Sequence, residues 1–252
     1  MRKSFNFSSL TTARKCQVKY YKDYIEIRDK PPITNVDFQY GHAIHAGCEA
    51  YLEGDDGVKT FQIFWDRQKT QDEPYGRYSW SELADKGRVS LERFKRLHLS
   101  KFTNSLVEQT LTAEFEGVQF YGTPDVIGDF EGVPSIIDFK TSAMRYNRNK
   151  ILSAEQLYGY SYLAEHALGY KAEQLVYVIL TKEKDPTVQI QKTPIVPEIK
   201  HDVMRVWAAE ARLLLDRQKT ETYTANRQAC VEGDRVCPYF NECYKEPKND
   251  NG

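Results

Sequence analysis

The sequence has no apolar run of about eighteen residues, so no membrane-spanning helix is expected. Its opening, "MRKSFNFSSL", lacks the apolar stretch of a secretory signal, and the chain is expected to stay in the cytoplasm. In that reducing compartment an odd number of cysteines, five, makes a poor disulfide framework; such thiols serve metal binding, catalysis or core filling. An excess of charge of either sign is missing too. With a formal net charge of -1 the whole molecule offers no electrostatic argument for nucleic acid, so any such partner must be met by local patches. Internal repeats and low-complexity linkers are absent, and only the last residues, "EPKNDNG", read as a disordered tail.

What is present suffices for a full core: 252 residues, 40% of them hydrophobic. One elaborated domain is expected over 1–252, with a core at 35–195, a helical insert at about 61–105, and further helices in 8–25 and 198–244. "SSLTTARKCQVKYYKDYI" (8–25) opens with serines suited to an N-cap and reads as a helix. "NVDFQYGHAIHAGCEAYLEGDD" (35–56) reads as a second, with Ile44, Cys48, Tyr51 and Leu52 spaced as an apolar stripe. From about 110 the period changes, and "LTAEFEGVQFYGTPDVIGDFEGVPSIIDFKTS" predicts three short strands broken at Glu-Gly pairs. A helix at 153–170, the strand "QLVYVILT" at 174–181, a β-rich stretch at 186–196 and an amphipathic helix at 198–221 follow. The sum is an α/β fold: a mixed central sheet flanked by helices.

One strand carries charge where a core strand should not. In "IIDFK", alternation puts Ile136, Asp138 and Lys140 on one face and Ile137 and Phe139 on the other. An isolated Asp-x-Lys would be a surface ion pair worth less than about 1 kcal/mol. Asp125, in "YGTPDVIGD", changes that reading, because a hairpin would bring two carboxylates together and their repulsion calls for a cation. A hard divalent ion, magnesium or manganese, binds oxygen ligands, stabilises a phosphodiester transition state and acidifies a bound water. Lys140 would position that water or stabilise the pentavalent phosphate.

"PDVIGD" followed by "IIDFKT" resembles the PD-(D/E)xK nuclease pattern, and the surrounding segments resemble its RecB-like branch, including CRISPR-associated iron-sulfur exonucleases and phage relatives. "GHAIHAGCE" resembles the branch's first motif, a helix whose histidine, here His45, ligates the metal; His42 has no counterpart in it. "QLYGYSYL" resembles its glutamine and tyrosine motif, with Gln156 and Tyr160 one helical turn apart. "SSLTTARKCQVKYY" and "CPYFNEC" resemble the segments that supply one N-terminal and several C-terminal cysteines. The resemblance spans residues 8 to 244 and implies a restriction-endonuclease-like core whose metal is held by His45, Asp125, Asp138 and the Phe139 carbonyl. It also implies a 4Fe-4S cluster on Cys16, Cys230, Cys237 and Cys243, clipping the two chain ends together; zinc would accept the same four thiolates. Here the pattern departs from many relatives, which place two residues between the first pair of C-terminal cysteines where "CVEGDRVC" has six. Cys48, on the helix stripe, is left as a core residue.

Two segments are locally basic. "KGRVSLERFKRLHLSK" (86–101) reads as a solvated helix face or a phosphate contact. "KTSAMRYNRNK" (140–150) directly follows the charged strand, so Arg145, Arg148 and Lys150 are expected beside a passing phosphate backbone, with Tyr20, Tyr21 and Tyr146 as candidate stacking surfaces. Glu114 fits either an acid near the metal or a solvent-facing strand residue. The expected activity is metal-dependent hydrolysis of DNA, single-stranded or duplex ends, as an exonuclease, with protein partners in recombination, repair or CRISPR adaptation. The competing reading is a DNA-binding or assembly module that keeps the fold without cutting; the intact Asp125, Asp138 and Lys140 argue against it.

Overall fold

A computed structural model describes residues 3–27, 36–67, 78–232 and 235–244. The expected tail "EPKNDNG", residues 68–77 of the expected helical insert, and 233–234 within "CVEGDRVC" lie outside the described residues.

In chain order the elements are β1 (Ser4–Phe5), α1 (Phe7–Lys15), α2 (Gln17–Tyr24), α3 (Val36–Leu52), α4 (Gly57–Arg67), α5 (Trp80–Leu97), β2 (Phe102–Val107), β3 (Leu111–Phe115) and β4 (Val118–Gly122). Then come β5 (Val126–Phe130), β6 (Val133–Ser142), α6 (Glu155–Leu168), β7 (Gln174–Thr181), β8 (Val188–Pro194), α7 (Pro197–Thr220), β9 (Val231–Glu232), β10 (Arg235–Val236) and α8 (Phe240–Cys243). The chain divides into two compact units, one of residues 33–113 and 121–204, the other of 1–32, 114–120 and 205–252.

The first unit is built on a five-stranded sheet in the order β2-β5-β6-β7-β8, with β6 and β7 parallel and the other pairs antiparallel. Ile137 and Phe139 of β6 join Val126, Phe130, Val176, Val178 and Leu180 in a core covered by Tyr40, Ile44 and Cys48 of α3, Phe61 and Trp65 of α4, and Leu91 and Phe94 of α5. Every residue of β7 is buried, which is why "QLVYVILT" is a continuous apolar run. α5 starts at a capping box in which Ser79 and Glu82 satisfy each other's backbone N–H groups.

The Glu-Gly pairs do make turns, but they divide four strands, β3 to β6, where the sequence suggests three. Glu116 and Gly117, and again Glu131 and Gly132, both take positive φ, the geometry of a two-residue turn whose twist matches its flanking strands. The expected helical insert also ends early: β2 begins at Phe102, where its pairing with Phe130 across the sheet overrides local propensity.

In the second unit the helix expected at 8–25 is broken in two. Cys16 is extended, at φ −161° and ψ 118°. The groups freed by the break find long-range partners: Asn226 Nδ2 donates to the Lys15 carbonyl at 2.9 Å, and Val18 N–H donates to the Thr224 carbonyl at 3.3 Å. A tertiary contact therefore replaces the helical bonds that the local sequence favours. Phe7 and Phe120 pack on the buried Trp207 of α7, and Arg14 holds Glu210 through two hydrogen bonds of 2.6 and 2.8 Å. Tyr20 is fully buried in this core and Tyr21 packs its ring against Tyr223, so Tyr20 is no stacking surface.

Candidate active site

The register of the β5–β6 hairpin builds the site. Val126 lies opposite Ile137, so Asp125 and Asp138 come next on the two strands, facing each other. The same line continues outward. Glu108, just past β2, donates its N–H to the Asp125 carbonyl at 3.1 Å, while Asp138 is paired with Tyr177 and Tyr177 with Gln191. Glu108, Asp125, Asp138, Tyr177 and Gln191 thus form one row across the sheet, and Lys140, Ile179 and Gln189 form the second row beside it.

Asp125 and Asp138 are almost wholly buried. Asp125 Oδ2 accepts the Phe139 backbone N–H at 2.6 Å and lies 3.5 Å from His45 Nδ1. His45 stands beside the apolar stripe of α3, its ring 6.0 Å from that of Phe139. The Lys140 ammonium lies 2.5 Å from Asp138 Oδ2, an ion-pair distance. Burial and then the charge of Asp125 push the Asp138 carboxyl up to about 6, against the pull of Lys140. Burial works against the charged forms of His45 and Lys140, but Asp125 for the one and Asp138 for the other outweigh it and raise both.

Gln156 Nε2 donates to Tyr160 Oη at 2.8 Å on α6. Burial, with Asp138 and Asp125 nearby, pushes the Tyr160 hydroxyl up to about 12, despite the opposing hydrogen bond from Gln156. Gly122 makes room for that ring: a Cβ at 122 would lie 2.5 Å from Tyr160 Cε1.

Two residues of this cluster had escaped the sequence reading. Glu49 sits one turn after His45 on α3, and burial raises its carboxyl. Partial loss of water, then Asp125 and Glu49, push Glu108 up to about 7. Glu49 carried a signal in its four-residue spacing from His45; Glu108 carried none, because only the β2–β5 pairing brings it to Asp125. Glu114 alternates outward from β3 and is exposed.

Among the described residues, no three His, Cys, Asp or Glu side chains are arranged closely enough to hold a metal ion. Asp125 and Asp138 are turned onto the Phe139 N–H and Lys140 instead. The donor set does fit a hard divalent ion in its chemistry: two buried carboxylates facing each other, an imidazole and a nearby main-chain carbonyl, with acids pushed up by crowding.

Arg145, Arg148 and Lys150 are exposed on the segment after β6. The other basic segment lies on α5 and is largely engaged within the protein: Lys86 bonds the Glu183 carbonyl at 2.7 Å, Arg93 pairs with Asp185 at 2.6 Å, and Arg88 with Glu92 at 3.0 Å.

In the second unit Cys16, Cys230, Cys237 and Cys243 are all free thiols. The Cys237 N–H donates to the Cys230 carbonyl at 2.7 Å, closing the loop between them. Burial raises the Cys243 thiol, Lys22 draws it down, and Cys16, Cys237 and Cys230 push it up again, so the four share one neighbourhood. Lys22 pairs with Glu242 at 2.6 Å and Tyr239 donates to Asp23 at 2.8 Å, tying α2 to the segment that bears the last two cysteines. Cys48 is fully buried in the other unit's core.

A mixed sheet whose hairpin presents Asp, then Asp-x-Lys, with a helical histidine beside them, defines a nuclease fold of the Asp-Asp-Lys class. The PD-(D/E)XK nuclease superfamily model matches residues 4–244, and the chain belongs to that superfamily. Its fold is similar to the crystal structure of a candidate exonuclease from Eubacterium rectale, with a TM-score of 0.66 at 13% identity, covering 97% of this chain and 90% of that one. A crystal structure of SSO0001 matches with a TM-score of 0.40 at 17% identity, over 84% of this chain and 77% of that one. None of the curated proteins matches the sequence. Among the described residues no helix is long and apolar enough to cross a membrane.

Proposed function

We propose that the protein is a divalent-metal-dependent deoxyribonuclease of the RecB-like type, acting as an exonuclease, with a 4Fe-4S cluster on Cys16, Cys230, Cys237 and Cys243. The observation that carries the reading is the facing of Asp125 and Asp138 across the β5–β6 hairpin, with Lys140 on the same strand face and His45 3.5 Å from Asp125. His45, Asp125, Asp138 and the Phe139 carbonyl would hold magnesium or manganese. When bound, the ion supplies Lewis-acid stabilisation of a phosphodiester oxygen and lowers the pKa of a water.

The chain's own residues supply the rest. Asp125 and Asp138 provide negative charge in a buried place, which favours cations over bulk water. Lys140, held charged by Asp138, brings a positive group to where the pentavalent phosphate gathers charge, or orients the attacking water. The Gln156–Tyr160 pair supplies neutral hydrogen-bonding groups near the carboxylates. Arg145, Arg148 and Lys150 offer phosphate contacts on the way in. DNA is the substrate, and the protein works in the cytoplasm with recombination, repair or CRISPR-adaptation partners.

The test is cleavage of linear single-stranded and duplex DNA with magnesium or manganese, beside calorimetric titration of the ion. Asp138→Asn should abolish metal-dependent cleavage and weaken ion binding. Lys140→Ala should keep most ion binding and still reduce cleavage about 100-fold or more, since it removes a transition-state charge rather than a ligand. Undiminished cutting by both variants would place the chemistry elsewhere. A wild type that binds DNA and the ion but never cuts would favour a non-cleaving binding module.

A further inference from the structure

The segment after β6 has small ties of its own, the Asn149 N–H to Asn147 Oδ1 at 3.0 Å and Arg145 Nε to Thr187 Oγ1 at 3.3 Å, but its backbone is gripped mainly by two glutamines from the edge strand. Gln189 forms a two-point amide pair with the Tyr146 backbone: its Oε1 accepts the Tyr146 N–H at 2.8 Å and its Nε2 donates to the Tyr146 carbonyl at 3.0 Å. This is how a neighbouring strand would bond to that residue, reproduced by a side chain. Two residues on, Gln191 repeats the device. Its Nε2 donates to the carbonyls of Asn147 and Tyr146 at 2.8 and 3.3 Å, and its Oε1 accepts the Ile151 N–H at 3.2 Å. Gln191 is only 5% exposed, so these bonds are shielded from water, and a buried amide left unpaired would be costly.

The location of the clamp gives it a consequence. Gln191 is in the transverse row of Asp138, and Gln189 in that of Lys140, each two strands away. At a strand spacing of about 4.8 Å, the two glutamine positions on β8 lie roughly 10 Å across the sheet from the positions of Asp138 and Lys140 on β6. Upon that anchored backbone stand Arg145, 63% exposed in its side chain although it reaches Thr187 Oγ1 at 3.3 Å and Glu183 at 3.7 Å, and Arg148 and Lys150, neither with a carboxylate partner among the described residues. Free cations on a mobile loop would have to be ordered when a polyanion binds. On a clamped backbone that ordering cost falls.

Resting on the nuclease reading above, we infer that Gln189 and Gln191 are positioning residues that hold the 145–150 segment as a preformed track for the phosphate backbone of the substrate. They touch neither the reacting phosphate nor the ligand set; they act through Tyr146, Asn147 and Ile151.

The experiment replaces each glutamine by methionine, similar in length but unable to make the bonds, in Q189M and Q189M/Q191M. Two readouts are taken on the full chain: the rate of tryptic cleavage after Arg145, Arg148 and Lys150, and the binding and cleavage of a labelled DNA oligonucleotide over a range of salt. The double variant should be cut by trypsin at least about 10-fold faster, bind DNA about 10-fold more weakly, and raise KM with kcat nearly unchanged. Its salt slope should fall toward that of R145A/R148A/K150A, by about 2 on single-stranded DNA or nearly 3 on duplex if three contacts are lost. If the double variant does not fold, Q189M, at the less buried position, decides with smaller changes in the same direction. Faster proteolysis with unchanged binding and KM would reduce the clamp to loop architecture and overturn the inference, as would unchanged proteolysis. A wild type that neither binds nor cuts DNA would instead sink the nuclease reading, and the track with it, while the trypsin rates still show whether the clamp orders the segment.

Discussion

Asp138 concentrates the conflict in this site at the scale of one residue. Its carboxyl is buried, faces Asp125, and is pushed from an ordinary 3.8 up to about 6, so the metal-free native state binds a proton that the unfolded chain releases. The sign of the pH dependence follows. The stability linked to this proton is fully present below pH 3.8 and is lost as pH rises through about 6. Glu108, raised from 4.5 to about 7, and His45, raised above 6.5, lose their contributions in the same direction. His42 and His98, lowered by burial, act in the opposite sense, so the site's share is read by comparing variants: without metal, the wild type should lose more melting temperature from about pH 4 to 7.5 than Asp138→Asn does. Magnesium or manganese should restore stability increasingly over that span, and Asp138→Asn should flatten the decline. An Asp138→Asn profile as steep as that of the wild type would contradict this account.

Among the elements, the contact of β4 with α6 sets where the tyrosine of the Gln156–Tyr160 pair lies. Gly122 has no Cβ, and one added there would meet Tyr160 Cε1 at 2.5 Å and Leu163 Cδ1 at 3.2 Å. Gly122→Ala should cost about 1–3 kcal/mol in chemical denaturation, the range for overpacking a filled site, and lower cleavage by moving the Tyr160 ring. In a Tyr160→Ala background the obstructing ring is gone, so the added methyl should cost less than about 1 kcal/mol. Equal costs in the two backgrounds would show that the contact does not govern the packing. The hairpin turns act at the same scale by fixing register. With Glu131 and Gly132 at positive φ the β5–β6 turn is a tight two-residue one, and a slip of one residue would move Asp138 to the face now held by Phe139.

For the whole molecule, the clearest test is colour. Cys16 comes from the chain's beginning and Cys230, Cys237 and Cys243 from its end, brought together in one unit by pairs such as Lys22 with Glu242 and Tyr239 with Asp23. Anaerobically purified protein should absorb broadly in the visible and contain iron and sulfide. Cys237→Ser should bleach it and lower its melting temperature, whereas Cys48→Ser, in the other unit, should keep the colour. Stoichiometric zinc without iron or sulfide, from iron-replete cells, would reject the cluster. Loss of colour by itself leaves Asp125, Asp138 and Lys140 in place, so residual cleavage by the bleached variant would report on the nuclease unit separately.

Local chemistry was enough to read much of this from the sequence. Alternation assigned Asp138 and Lys140 to one strand face, Glu-Gly pairs marked two-residue turns, and a four-residue spacing put Gln156 in reach of Tyr160, because each depends on neighbours within a strand, a turn or one helical turn. Other features depend on partners far along the chain. Cys16 interrupts a helix because Asn226 and Thr224 satisfy the backbone groups that the break exposes. Tyr20 is core rather than surface because α7 covers it, and its hydroxyl is met by Gln218 at 3.4 Å. Glu108 joins the acidic row through β2–β5 pairing, and Gln189 and Gln191 become a clamp only because β8 lies against β7 in one register. Side-chain alternation and turn preference are properties of a few adjacent residues, so the sequence determined the charged strand and its hairpin. Which residues stand across from that strand is a matter of long-range register, set by pairings between segments far apart in the chain and encoded in no run of neighbours.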